Sequence, residues 1–189
     1  MDLSTANTFF TTLTFLANIA FLAIVVIGVI ALFGGSARRF STRAARLLGA
    51  RARVAALVVA AVTTAGSLYY SEVKGLIPCE LCWFQRICMY PLVAILAIGV
   101  IRKDRAVIWY AMPFFTIGAP LALYHWLVER VPSLDSSTSC TLGVPCNVPY
   151  FEELGYITLA FMDMSAFLLI GALLWMGRAG ERANEEAAT

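Results

Sequence analysis

Residues 78–86 read Pro78-Cys79-Glu80-Leu81-Cys82-Trp83-Phe84-Gln85-Arg86. They stand where a short polar connection gives way to an apolar run that reaches Ile101 and stops at Arg102, Lys103 and Arg105. Pro78 disfavours helix at Ile77, and a run of roughly 20 mostly apolar residues is what a helix needs to cross a bilayer. The stretch therefore sets a Cys-x-x-Cys pair at the mouth of a membrane span, with an arginine one turn inside it. Two cysteines at this spacing close a redox-active disulfide or grip a metal.

Working outward, the chain repeats this pattern of apolar runs. With 60% hydrophobic and 14% charged residues, it departs from the roughly 25% charge of soluble domains and points to lipid as solvent. Spans are predicted over residues 9–33, 54–71, 82–101, 106–128 and 154–177. The first has no basic stretch ahead of it and is long for a cleavable signal, so it is expected to be retained. Residues 34–53 carry Arg38, Arg39, Arg43, Arg46, Arg51 and Arg53 with no acidic residue, which suits either an interfacial helix or a basic loop. Residues 129–153 form a polar, proline-bearing segment that holds Cys140 and Cys146. The predicted architecture is an all-α membrane protein of five spans. It divides into an additional N-terminal helix and basic segment (1–53), a four-helix bundle (54–177) and a short tail (178–189).

Charge orients this array. With five spans, residues 34–53, 102–105 and the tail share one side and hold eleven of the fourteen Lys and Arg residues. Basic residues mark the cytoplasm, which predicts an outside N-terminus and a cytoplasmic C-terminus. Both Cys79/Cys82 and Cys140/Cys146 then lie outside, where thiols are not held reduced and paired cysteines become disulfides. A zinc site of four thiolates is disfavoured there, and Cys-x5-Cys is loose spacing for one. Purely structural disulfides remain an alternative, but a two-residue loop gains little from cross-linking.

Cys82 lies at a helix start, where unpaired N–H groups favour a thiolate. Arg86 returns to the same helical face one turn deeper. An arginine there either snorkels to the headgroups or steadies a thiolate and a lipid-soluble oxidant. No flavin, haem or nicotinamide motif is present, which points to a membrane quinone.

At this point the sequence resembles the DsbB family of disulfide-generating membrane proteins, and within it the shorter BdbC-like branch. The resemblance rests on Cys79-Glu80-Leu81-Cys82 with Arg86, the pair Cys140/Cys146, and Tyr124-His125 at the end of the fourth span. It covers roughly residues 54–176; the span from Phe9 is an addition to the usual four. It implies a dithiol:quinone oxidoreductase of the bacterial plasma membrane, with its cysteines on the periplasmic or extracellular side. A reduced DsbA-like, thioredoxin-fold partner would attack the second pair at Cys140. Cys146 would then exchange with Cys79, and Cys82 would contact a ubiquinone or menaquinone held by Arg86, with His125 at headgroup depth. A vitamin-K-epoxide-reductase-like enzyme has similar parts, but its Cys-x-x-Cys comes late in the chain. No metal and no nucleic acid is expected.

Three other residues stand out. Asp163 in the fifth span invites either a helix-packing hydrogen bond or proton transfer near the quinone. Cys88 reads as a small buried hydrophobe. Trp83, Phe84, Trp109 and Trp126 read as interface anchors.

Overall fold

The computed structural model describes residues 2–33, 35–131 and 144–186. The run 133–139 and Cys140 lie outside them. Five helices follow in order: α1 (Leu3–Phe33), α2 (Gly35–Leu68), α3 (Glu80–Ile101), α4 (Val107–Val128) and α5 (Leu159–Glu186). Each contains a stretch long and apolar enough to cross a membrane.

Helix α1 starts earlier than the hydropathy suggests, because Asp2 Oδ1 accepts the Leu3 backbone N–H at 2.7 Å and caps it. Residues 35–53 are helical, so this stretch is not a loop. Its apolar continuation begins past Gly49, whose φ of 26° kinks α2; that left-handed region is open to glycine at little cost. Beyond α2 a π-helical turn, Tyr69–Val73, leads to the Cys-x-x-Cys loop.

The fifth span is displaced from its predicted bounds. Leu154 and Gly155 take positive φ (55° and 77°), and Glu153 pairs with Ile157 through two backbone hydrogen bonds. This tight turn uses apolar residues that look like helix in a hydropathy reading, so α5 begins only at Leu159. At its other end α5 runs through the charged tail to Glu186, because that tail has partners. Arg53 pairs with Glu181 at 2.8 Å, Arg105 pairs with Glu185, and Arg178 donates to the Arg105 carbonyl.

These contacts gather the 102–105 turn, Arg53 and the end of α5 at one end of the bundle. The Cys79 loop, the end of α4 and residues 144–158 gather at the opposite end. Leu92, Leu96, Ile108, Phe167 and Ile170 form the core between α2, α3, α4 and α5.

Helix α1 packs against α2 and α5. Asn7 accepts a hydrogen bond from Tyr70 Oη at 3.0 Å, and Asn18 Nδ2 donates to Ser165 Oγ at 3.1 Å. Where α1 crosses α2, a Cβ on Gly66 would stand 2.8 Å from the Phe10 ring, so glycine permits the approach. Its far face, with Phe15, Ile19, Leu22 and Val26, is exposed and suited to lipid.

Candidate active site

Cys79 is the N-cap of α3. Its backbone is extended (ψ 173°), and its Sγ accepts the Cys82 N–H at 3.3 Å. The field of the helix start therefore acts on Cys79, although the sequence suggested Cys82. The reason is register: Glu80 already begins the helix, so Cys79 occupies the position whose side chain meets the orphan N–H groups.

The two sulfurs are 2.7 Å apart and unbonded. Cys79 Sγ lies 3.6 Å from His125 Nε2, and His125 Nδ1 lies 2.8 Å from the Gln85 amide nitrogen. With Gln85 donating to Nδ1, the ring proton resides on Nε2 and points at the Cys79 sulfur. The Cys79 thiol is pulled well below the free-cysteine range, first by the hydrogen bond with Cys82 and then by His125. Near His125 Nε2, at 3.9 Å, stands the Glu129 carboxylate, whose titration burial pushes up.

Cys79, Cys82 and His125 offer three donor atoms within 4.8 Å of one another. Two thiolates on a tetrahedral zinc with Zn–S near 2.3 Å stand about 3.8 Å apart. The 2.7 Å separation is far shorter. This pair is arranged for sulfur–sulfur chemistry.

Arg86 does not snorkel. It is 9% exposed, donates from Nε to Ser67 Oγ at 3.0 Å and from Nη2 to the Ser67 carbonyl at 3.1 Å, and lies over the Trp83 ring. It lines a cavity of about 370 Å³ together with Cys82, Gln85, His125, Tyr150 and Asp163. Tyr150 reaches the site from the loop before α5 by donating to the Ile77 carbonyl, which ties that loop to the Cys-x-x-Cys segment. Asp163 sits one turn into α5, nearer the cysteine end than the predicted span placed it. Among the described residues no hydrogen bond to it is present, and its nearest charged neighbours are His125 and Arg86.

Cys146 is disulfide-bonded and 3% exposed, in one apolar cluster with Cys79, Leu81 and Val128. Structure thus brings Cys79, Cys82, Cys146, Arg86 and His125 to one end of the bundle; Cys140 lies outside the described residues. Gln85, Ser67 and Tyr150 were not singled out in the sequence. Gln85 alone carried a signal, as a neutral polar residue within an apolar span. Cys88 is buried in the main core, as expected.

The model of the family described as disulfide bond formation protein DsbB matches residues 49–177. The chain belongs to the DsbB family. Disulfide bond formation protein C of Bacillus subtilis (strain 168) is 46% identical over 116 residues, covering 61% of this chain and 84% of that protein. A probable disulfide formation protein of Oceanobacillus iheyensis is 46% identical over 120 residues, 61% of this chain and 81% of its own. One from Coxiella burnetii is 38% identical over 122 residues, 64% and 83% respectively. No solved structure matches. As a DsbB-family member with five candidate spans, the protein is a multi-pass membrane oxidoreductase that forms disulfides, and its chemistry requires a thiol-disulfide partner protein. The match begins at Gly49, so α1 lies outside it.

Proposed function

We propose that this protein reoxidises a thioredoxin-fold, DsbA-like partner on the outer face of a bacterial plasma membrane and delivers the electrons to a membrane quinone. The observation that carries this reading is the cavity at Cys82: Arg86, His125 and Asp163 stand at its polar end, and apolar side chains of the spanning helices make its walls. Those residues fit a quinone, whose carbonyl oxygens need donors and whose remaining bulk is apolar. When bound, a quinone supplies an acceptor for two electrons and two protons. Residues 54–177 form the four-helix catalytic unit, with 1–53 added before it and 178–189 as its cytoplasmic tail.

Thiol chemistry follows from the division between the two cysteines. A partner thiolate attacks the Cys140–Cys146 disulfide at Cys140, and the partner's second thiol then closes the partner disulfide and frees Cys140. The Cys146 thiolate attacks Cys79 within their shared apolar cluster, breaking the Cys79–Cys82 bond and releasing Cys82 as thiolate. Cys140 then attacks Cys146, restoring that disulfide and freeing Cys79. His125 Nε2–H and the Cys82 N–H favour Cys79 as leaving thiolate, since both donate to its charged form. Cys82 is the member of the pair that lines the cavity, and from there it would pass two electrons to a bound quinone as the Cys79–Cys82 bond re-forms. Arg86, fixed by Ser67, would hold the acceptor's oxygen, and His125 and Asp163 are the titratable groups at hand for two protons.

Basic residues support the orientation. Arg53, Arg102, Lys103, Arg105, Arg178 and Arg182 all belong to the end opposite the cysteines, as cytoplasmic residues do.

The deciding experiment is reoxidation of a reduced thioredoxin-fold partner by purified protein with and without added quinone, following hydroquinone by absorbance. Quinone-dependent turnover that is abolished in Cys82→Ser and Cys140→Ser is expected. Turnover that needs no quinone, or that survives in both variants, overturns the assignment.

A further inference from the structure

The cavity beside Cys82 is not enclosed by the four-helix unit alone. Helix α1 lends it Phe10, Leu13, Thr14, Leu16, Ala17 and Ala20. Most of these recur at spacings of three and four and so line one stripe of the helix. From Phe10 to Ala20 that stripe extends about 15 Å along the axis. It begins near the cysteine end, where Asn7 meets Tyr70 and Phe10 meets Gly66, and descends past the Asn18–Ser165 bond toward mid-membrane. Opposite it stand Val58, Val59 and Val62 of α2 and Leu169 of α5. Below the level of Asp163 the lining is apolar save for hydroxyls. The polar end and the apolar groove form one continuous space.

A groove of this kind could be filled by a lipid chain, but its continuity with the Cys82 end favours one occupant attached to the reacting headgroup. We propose that α1 is a substrate-binding helix: its Phe10–Ala20 stripe forms the wall against which the isoprenoid tail of the quinone lies. This rests on the quinone reading above and adds the helix that lies outside the family match. Asn7 and Asn18 anchor the wall at two depths through hydrogen bonds to Tyr70 and Ser165. Such polar pairs between spans hold a helix in a fixed register.

Two measurements test this. A quinone bearing a photoreactive group partway along its tail is bound to the full-length protein, irradiated, and the labelled peptides are mapped by mass spectrometry. Label on residues 10–20, displaced by unlabelled long-tail quinone, is expected. Label confined to α2–α5, or label on α1 that only phospholipid displaces, overturns the proposal.

The second measurement compares a long-tail quinone with a tail-less one in Ala17→Phe, with Leu22→Phe on the lipid face as control. Filling the groove is expected to raise KM for the long-tail quinone about ten-fold, the scale of an overpacked contact, and to lower the quinone that copurifies. The rise for the tail-less quinone is expected to be much smaller. Equal effects on both quinones, or none on either, overturn the role of α1 while leaving quinone reduction standing. If wild-type protein reduces no quinone of either kind, the underlying assignment fails instead.

Discussion

Gln85 Nε2 lies 2.8 Å from His125 Nδ1, and this bond determines which ring nitrogen carries the proton toward Cys79. Both side chains are almost fully buried, Gln85 at 2% and His125 at 3% exposure. Water therefore does not replace the bond if it is lost. Gln85→Leu is expected to free the ring to protonate either nitrogen and so to raise the Cys79 thiol toward the ordinary cysteine range, because the Nε2–H that favours its charged form is no longer fixed. The check is the pH profile of Cys79 alkylation in a Cys82→Ser background. A lowered thiol keeps its reactivity as pH falls and loses it only on passing through that lowered value. The Gln85→Leu profile should therefore fall off at higher pH, and coincident profiles would show that Gln85 only packs.

Arg86 is positioned by Ser67, which accepts from Nε and from Nη2 through two different oxygens. That arrangement holds the guanidinium at the cavity wall, where the proposed quinone reading has its other N–H groups meet a ligand oxygen. Arg86→Ala is expected to raise quinone KM by about 10- to 100-fold, the range of a charge-assisted hydrogen bond. Ser67→Ala removes only one of the two anchors and should raise it by a few-fold. Arg86→Lys cannot reproduce the forked contact and should resemble Arg86→Ala more than wild type. Unchanged KM in all three would limit Arg86 to a structural part.

Much of this architecture was legible from hydropathy, because lipid leaves a spanning segment few choices besides helix. The boundaries were not. Leu154, Tyr156 and Ile157 have the composition of a span but form a turn, since Gly155 and the strained Leu154 reverse the chain there. The charged residues after Gly177 end the apolar run but not the helix, because Arg53 and Arg105 meet Glu181 and Glu185. At the site, Cys79, Cys82 and Arg86 are local in sequence and could be read as a motif. Ser67 and Tyr150 could not: each matters through contact with a single residue, 19 or 73 positions away. The exchange of roles between Cys79 and Cys82 at the helix start turned on a register shift of two residues, finer than sequence patterning resolves.

Arg53 joins three elements at the end opposite the cysteines. It is 8% exposed, donates from Nη1 to the Asp104 carbonyl at 2.6 Å and pairs through Nη2 with Glu181 at 2.8 Å. Removing one member of a buried pair leaves the other uncompensated, at a cost of about 3 kcal/mol or more when fully buried. Arg53→Ala also orphans the Asp104 carbonyl, whereas Glu181→Gln keeps a hydrogen-bonding partner for Arg53. Thermal unfolding in detergent should therefore fall further in Arg53→Ala than in Glu181→Gln, and turnover per folded molecule should stay near wild type in both. A loss in Glu181→Gln equal to that in Arg53→Ala would assign the whole effect to the ion pair.

The side of the membrane that the cysteines face decides whether this enzyme meets an oxidising compartment, and single labels can read it. Val148 is 62% exposed in the loop that carries Tyr150, at the cysteine end. Arg182 lies in the last turns of α5, beyond the Arg53–Glu181 pair. In a chain whose native cysteines are replaced by serine, Val148→Cys should react with a membrane-impermeant maleimide on intact cells. Arg182→Cys should react only after the membrane is opened. The opposite pattern would put both cysteine pairs in the cytoplasm, where glutathione and thioredoxin keep thiols reduced. The same atoms would then face a pool that reduces disulfides, and net disulfide formation in an outer partner would have no route through this protein.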